Sequence, residues 1–186
     1  MAEATRLTIG AEASCAGGLC GEVSRVVIDP EAWIITHLVV EPKHRQGLGR
    51  LVPFDLVDIS TDRVRLRCTS LEFEKLDHAE ETRCMPGGGG IAGYSAGQEL
   101  FLPIAYDAVP ADEVTVRRGQ IVHASDGNIG SVSGLVIDPR NHKVTHVLLQ
   151  ERNLWGRRGV AIPIGAVTEV NDGIKLNINV EQAEEL

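Results

Sequence analysis

Several groups of residues in this chain are of types that could do chemistry. Cys15, Cys20, Cys68 and Cys84 offer four sulfurs, the number that a tetrahedral zinc site takes. His37 and His146 offer imidazoles, which ligate metals and titrate near neutral pH. The run GYSAG, residues 93–97, matches the Gly-x-Ser-x-Gly pattern that exposes a serine nucleophile, here Ser95. ASDGNIG, residues 124–130, resembles a fragment of a calcium loop. Two loops combine glycine with arginine: PKHRQGLGR, residues 42–50, and ERNLWGRRG, residues 151–159. Planar guanidinium forks suit carboxylate or phosphate, and an exposed tryptophan suits a protein contact.

Each of these needs a scaffold, and most lack one. A serine elbow requires a strand before it and a helix after it, whereas PGGGGIA precedes Ser95 and QELFLPIAY follows it. PGGGG also lacks the Lys-Ser/Thr ending of a phosphate loop and reads as a flexible link. LFLPIAY reads as an extended segment covering a sheet edge. The calcium fragment lacks the later ligands, so a turn built on Asp126 and Asn128 accounts for it.

The scaffold that does emerge is written twice. RVVIDPEAWIITHLVV begins at Arg25 and GLVIDPRNHKVTHVLL at Gly134, an offset of 109. Residues 21–41 and 130–150 share nine identities: Gly, Val, Ser, Val, Ile, Asp, Pro, Thr and His. The match continues with one inserted residue, pairing Val52-Pro53 with Ile162-Pro163 and Leu66 with Leu176. The chain therefore reads as two copies of a unit of roughly 70 residues, over 1–73 and 113–186, with a connector over 74–112. In each unit two β-branched runs flank a turn that Asp and Pro favour, and a later alternating strand follows (VRLRC, IKLNINV). Neither copy shows a convincing amphipathic helix. Short strands at close spacing with glycine turns predict an all-β protein of two tandem small antiparallel β-barrels.

The return strands IITHLVV and KVTHVLL are apolar on both faces, which implies burial on both. The interior of each barrel would cover one face. The sister copy is the expected cover for the other, because a unit this small buries little core alone. The two copies are thus predicted to pack face to face about a pseudo-twofold axis, through Ile35, His37, Val39, Val144, His146 and Leu148. In that setting the two histidines read as hydrogen-bonded interface residues. The repeat also bears on the cysteines: Cys15, Cys20 and Cys68 correspond to Ala124, Ile129 and Ile178, so they read as core thiols and not as zinc ligands.

Composition narrows the function classes. Net charge is −8, and the connector alone carries seven acids against two bases. An acidic chain lacks the basic footprint of non-specific nucleic-acid binding. No run reaches the roughly 18–20 apolar residues of a membrane helix, and the N-terminus lacks the apolar core of a secretory signal. The expected location is the cytoplasm, where four cysteines are expected to be thiols.

The order of these motifs resembles the PRC-barrel domain family: a Gly-x-Val strand, V-I-D-P, V-T-H-V/L, a Gly-Arg loop, then V/I-P. That family includes the cytoplasmic part of the photosynthetic reaction-centre H subunit and a domain of the ribosome maturation factor RimM. The resemblance covers both copies, about three quarters of the chain. It implies a six-stranded antiparallel barrel used for binding or assembly. Two departures limit the transfer: the H subunit's membrane helix is missing here, and both barrels look PRC-like, unlike the maturation factor's two different ones.

The expected function is a non-catalytic, protein-binding adaptor with no catalytic residue, metal or cofactor. Its candidate docking residues are Lys43, Arg45, Arg50, Arg152, Trp155, Arg157 and Arg158 on the two loops. An RNA-processing or ribosome-associated factor acting through the arginines is the alternative, and a small-ligand binder the second. The partner is expected to be a protein, with RNA as the other option. The two copies would form an intramolecular pseudo-dimer, open to further homo-oligomerisation.

Overall fold

The structure, a computed structural model, describes residues 4–43, 49–60, 63–86, 101–150 and 159–185, with only the backbone of 81–86, 101–107 and 184 described. The first half runs β1 (Thr5–Thr8), β2 (Glu12–Ala16), β3 (Gly18–Asp29), β4 (Ile34–Glu41), β5 (Arg50–Pro53), β6 (Val57–Ser60), β7 (Arg63–Thr69) and helix α1 (Ser70–Glu74). The connector supplies β8 (Glu80–Pro86) and β9 (Phe101–Asp107). The second half runs β10 (Val114–Arg117), β11 (Ile121–His123), β12 (Asn128–Asp138), β13 (Lys143–Gln150), β14 (Gly159–Pro163), β15 (Val167–Val170), β16 (Ile174–Leu176) and helix α2 (Val180–Glu184). All strands but β8 and β9 join one sheet, which curls into a half-barrel.

The hairpins β3–β4 and β12–β13 are the backbone of each half. At each tip the aspartate carboxylate caps the turn: Asp29 Oδ1 accepts the amides of Glu31 and Ala32, and Asp138 Oδ1 that of Arg140. The turn closes when Trp33 N donates to Asp29 O at 2.8 Å and His142 N to Asp138 O at 2.9 Å. Trp33 and His142 are left-handed, at φ 57° and 59°, a conformation that costs a non-glycine residue about 1–2 kcal/mol.

Both hairpins are interrupted twice at matching places. Ser24 and Ser133 are extra residues in β3 and β12, and Thr36 and Thr145 in β4 and β13. Each such bulge bends the strand and breaks strict alternation. Thr36 turns Ile35 to the same side as Leu38 and Val40, into the main core.

The halves meet by exchanging strands. β1 pairs with β12 of the second half, Thr5 opposite Ile137. β10 pairs with β3 of the first half, Val114 opposite Ile28. Both registers differ by the same 109 residues. Leu7 of β1 and Val116 of β10 each enter the shared core, 1% exposed. At the centre Lys143 lies opposite Ile34, Ile35 N donates to His142 O at 3.0 Å, and Val144 N donates to Trp33 O at 2.7 Å. One continuous core runs through both halves.

Three expectations need correction. The halves join edge to edge through backbone pairing and exchanged strands, and do not stack face to face; each hairpin's free N–H and C=O row is satisfied by the other half. The sheet is not wholly antiparallel, since β2–β7 and β11–β16 are parallel. The fold also contains two short helices, each opened by a reciprocal capping box, Thr69 with Glu72 and Asn179 with Gln182. The connector segment read as covering an edge is β9, which pairs with β8 in a separate two-stranded sheet.

Candidate binding surface

The polar residues written twice in the sequence cap the backbone of the hairpins. Ser24 Oγ donates to Val39 O at 3.4 Å and Ser133 Oγ to Leu148 O at 3.1 Å. Thr145 Oγ1 donates to Val136 O at 3.1 Å, and His146 Nδ1 lies 3.0 Å from that hydroxyl. A hydroxyl that donates to a carbonyl is free to accept, an arrangement that suits the Nδ1–H tautomer of His146. The first half differs by one residue. Thr36 Oγ1 donates to the Glu113 carboxylate at 2.6 Å, leaving Val27 O at 3.4 Å, and His37 Nδ1 lies 3.1 Å from the hydroxyl and 3.7 Å from Glu113. Glu113 comes from the segment before β10, so this cluster ties the connector's end to the first hairpin.

The six residues expected between the copies divide into three groups. Ile35 and Val144 lie in the common core beside the central backbone bonds. His37 and His146 are half-buried in the clusters just described. Val39 belongs to a second apolar cluster with Val27, Leu51 and Ala79, against which Val109 packs. This last placement is a correction: the outer face of the first hairpin is covered by Leu51 and by Ala79 and Val109 of the connector, and not by the sister hairpin. Leu148, the counterpart of Val39, is buried at 7% exposure.

Of the seven docking candidates, Arg45, Arg152, Trp155, Arg157 and Arg158 lie outside the described residues. Lys43 is exposed and ion-paired to Glu12, which raises the lysine and lowers the glutamate from their ordinary ranges, the hydrogen bond between them first and the charge attraction second. Arg50 is half-buried; its Nη1 donates to Leu76 O at 2.9 Å and lies 3.0 Å from His78 Nε2. Its guanidinium thus anchors the segment after α1. Ser95 also lies outside the described residues. Asp126 and Asn128 serve the turn: Asp126 Oδ1 accepts Val180 N at 2.8 Å and Asn128 Oδ1 accepts Gly130 N at 3.0 Å.

One buried cation was missed by the sequence reading. Arg25, only 5% exposed, pairs with Glu41 at 3.3 Å and with Glu80 at the start of β8. Its counterpart is Gly134, where an added Cβ would overlap the Leu7 carbonyl oxygen of the exchanged strand. The contrast R against G at the offset of 109 was visible in the sequence, but its meaning depends on which strand lies alongside.

The cysteines also need correction. Cys15 and Cys20 form a disulfide across the β2–β3 turn, with Cα atoms 5.8 Å apart. Cys68 is a free, buried thiol, and burial, reinforced by the Glu72 charge, pushes its pKa up. Among the described residues no three His, Cys, Asp or Glu side chains gather as a metal cage.

Two open cavities stand out among the described residues. A groove of about 440 Å³ lies between the β2–β3 turn and α1, with Leu19, Cys20, Pro42, Arg50 and Phe73 in its walls. Leu19 is 52% exposed on its rim, and Leu71 on α1 is 72% exposed. A second cavity of about 530 Å³ lies where β10 enters the first half, lined by Glu113, Arg117, Arg118 and Asp172 among others. The first was findable in part from Thr69-Ser-Leu-Glu72, a capping-box sequence announcing a helix start. No described helix is long and apolar enough to cross a membrane.

A curled sheet of short strands, with serine- and threonine-filled bulges and a small capped helix closing each half, defines a β-barrel-type domain. Residues 114–183 match the family model of the PRC-barrel domain, so the second half contains a PRC-barrel domain. The matched segment begins at β10, the strand given to the other half, and ends in α2. No curated protein matches the chain.

Proposed function

We propose that the chain is a non-catalytic assembly module, built from two PRC-type barrels over 1–73 and 113–186 with the connector 74–112 between them, that acts in the cytoplasm by holding a protein partner. The PRC-barrel match in the second half supports the barrel assignment, and the equal registers of the two hairpins extend it to the first. The observation that carries the functional reading is the use of the repeated polar residues. Asp29 and Asp138, Ser24 and Ser133, and Thr36 and Thr145 all bond backbone groups or, at Thr36, a tie to Glu113. Residues selected twice for capping a scaffold fit a rigid platform better than a reaction centre.

The RNA alternative is weakened by the engagement of Lys43 and Arg50 within the molecule. The surface best suited to a protein is the first groove with the adjoining α1, where Leu19 and Leu71 stand in water. Affinity capture with the intact chain and with a Leu19→Ser, Leu71→Ser variant tests the reading. Loss of about 1–2 kcal/mol from such anchors would lower partner affinity roughly tenfold. Equal capture by both, or recovery of a specific RNA in place of protein, would overturn it.

A further inference from the structure

The two halves close the same turn by different means. In the second half, the turn between β11 and β12 is held by side chains: Asp126 Oδ1 accepts the first amide of α2, Val180 N, at 2.8 Å, and Asn128 Oδ1 accepts Gly130 N at 3.0 Å. In the first half the corresponding positions are Gly17 and Leu19, which have no side-chain oxygen to offer. Gly17 and Gly18 sit at φ 126° and 139°, and a Cβ on Gly18 would meet nothing within 4 Å. The four turn residues 16–19 are all exposed. The strands pair up to this turn, Cys15 opposite Gly18 and Ser14 opposite Leu19, and its one covalent closure is the Cys15–Cys20 bond, at positions where the second half has Ala124 and Ile129.

Leu19 and Cys20 are also one wall of the groove whose opposite wall is Phe73 on α1. The second half ties turn to helix directly through Asp126. In the first half Ala16 pairs with Thr69, the N-cap of α1, and the disulfide fixes the Leu19–Cys20 side of the turn to that pairing.

We propose that the Cys15–Cys20 disulfide is a redox latch on the first groove, and that the second half is its redox-insensitive counterpart. A dithiol reductant supplies two electrons and two protons. The S–S bond breaks, Cys15 and Cys20 each become a thiol, and the reductant closes to its own disulfide. Freed of the bond, the glycine turn samples many conformations and the Leu19–Cys20 wall moves away from α1. The latch acts on the groove whose rim the docking reading uses, but its test needs no partner. In the reducing cytoplasm it would rest open and close on oxidation.

Thiol counting and amide exchange on the intact chain test it. After mild oxidation, denaturing alkylation should leave Cys15 and Cys20 unlabelled, and after reduction it should label both. On reduction, exchange in residues 14–21 should rise at least about tenfold, with a smaller rise over 69–76, while 123–130 stay unchanged. A Cys15→Ala, Cys20→Ile variant, which takes the residues of the second half, should exchange fast whether or not reductant is present. Labelling of Cys15 and Cys20 after oxidation, or equal exchange of 14–21 in both states, would overturn the proposal; both readouts on the unmodified chain hold even if the variant fails to fold.

Discussion

The Trp33 carbonyl accepts the amide of Val144 at 2.7 Å, and the His142 carbonyl accepts the amide of Ile35 at 3.0 Å. The two bonds are one bond seen twice, 109 residues apart, and they cross the line where the halves meet. Both carbonyls are aimed by a residue in the left-handed region. The strain is local, and the bonds it directs are between halves.

Substitution at His142 separates these contributions. His142→Val places a β-branched residue at φ 59° and removes the edge-on ring contact with Phe54, centroids 4.8 Å apart. We expect a loss of about 2 kcal/mol in urea unfolding. His142→Asn, which tolerates the left-handed region, should lose only the contact, about 1 kcal/mol.

The bulge threonines should be unequal. Thr145→Val keeps the shape but leaves the Val136 carbonyl without its hydroxyl, a cost of about 1 kcal/mol. Thr36→Val also abandons a charged acceptor, Glu113, and should cost about 2 kcal/mol. Equal losses in chemical denaturation would contradict the different partners assigned here.

Glycine positions give the sharpest contrast. A Cβ at Gly134 would overlap the Leu7 carbonyl oxygen, whereas one at Gly165 meets nothing within 4 Å. Gly134→Ala should destabilise by about 3 kcal/mol by displacing β1. Gly165→Ala should stay within about 0.5 kcal/mol of the parent. Thermal unfolding of the pair, side by side, checks this.

The α1 capping box predicts a pH effect. The Thr69 amide and then its hydroxyl, both donating to the Glu72 carboxylate, hold that pKa below the ordinary glutamate range. A carboxylate depressed in the folded state stabilises it above the unfolded pKa, and that contribution fades as pH falls through the folded one. Glu72→Gln keeps the box but not the charge. Its stability deficit relative to the parent should therefore be present at pH 7 and shrink as pH falls below the ordinary glutamate range, measured by urea midpoints.

The hairpins were legible because Asp-Pro, Thr-His and β-branched runs are local signals. The structure turns both hairpins at the aspartates, although β3 and β12 begin earlier than the runs, at Gly18 and Asn128. The bulges were not legible. Read as strict alternation, Ile35 and Val39 share a face; the extra Thr36 moves Ile35 to the core and leaves Val39 outside. The exchange of β1 and β10 leaves no trace in periodicity either, since TRLT and VTVR read alike whichever hairpin they join. Five-residue helices are too short to show an amphipathic period, although Thr69-x-x-Glu72 and Asn179-x-x-Gln182 mark where they start. Apolar counterparts correctly placed Cys15 and Cys68 in the interior, yet burial does not distinguish a thiol from a disulfide. Five of the seven loop candidates, among them Trp155 and Arg157, fall outside the described residues, and the two inside, Lys43 and Arg50, were legible as cations but not as cations already engaged.

The reciprocal strand exchange is the claim on which the rest depends, and cross-strand proton contacts in the NMR spectrum of the intact chain test it most directly. The account predicts contacts between residues 5–8 and 134–137 together with contacts between 114–117 and 25–28. Contacts of 5–8 with 25–28, and of 114–117 with 134–137, would mean that each half keeps its own first strand, and would contradict it.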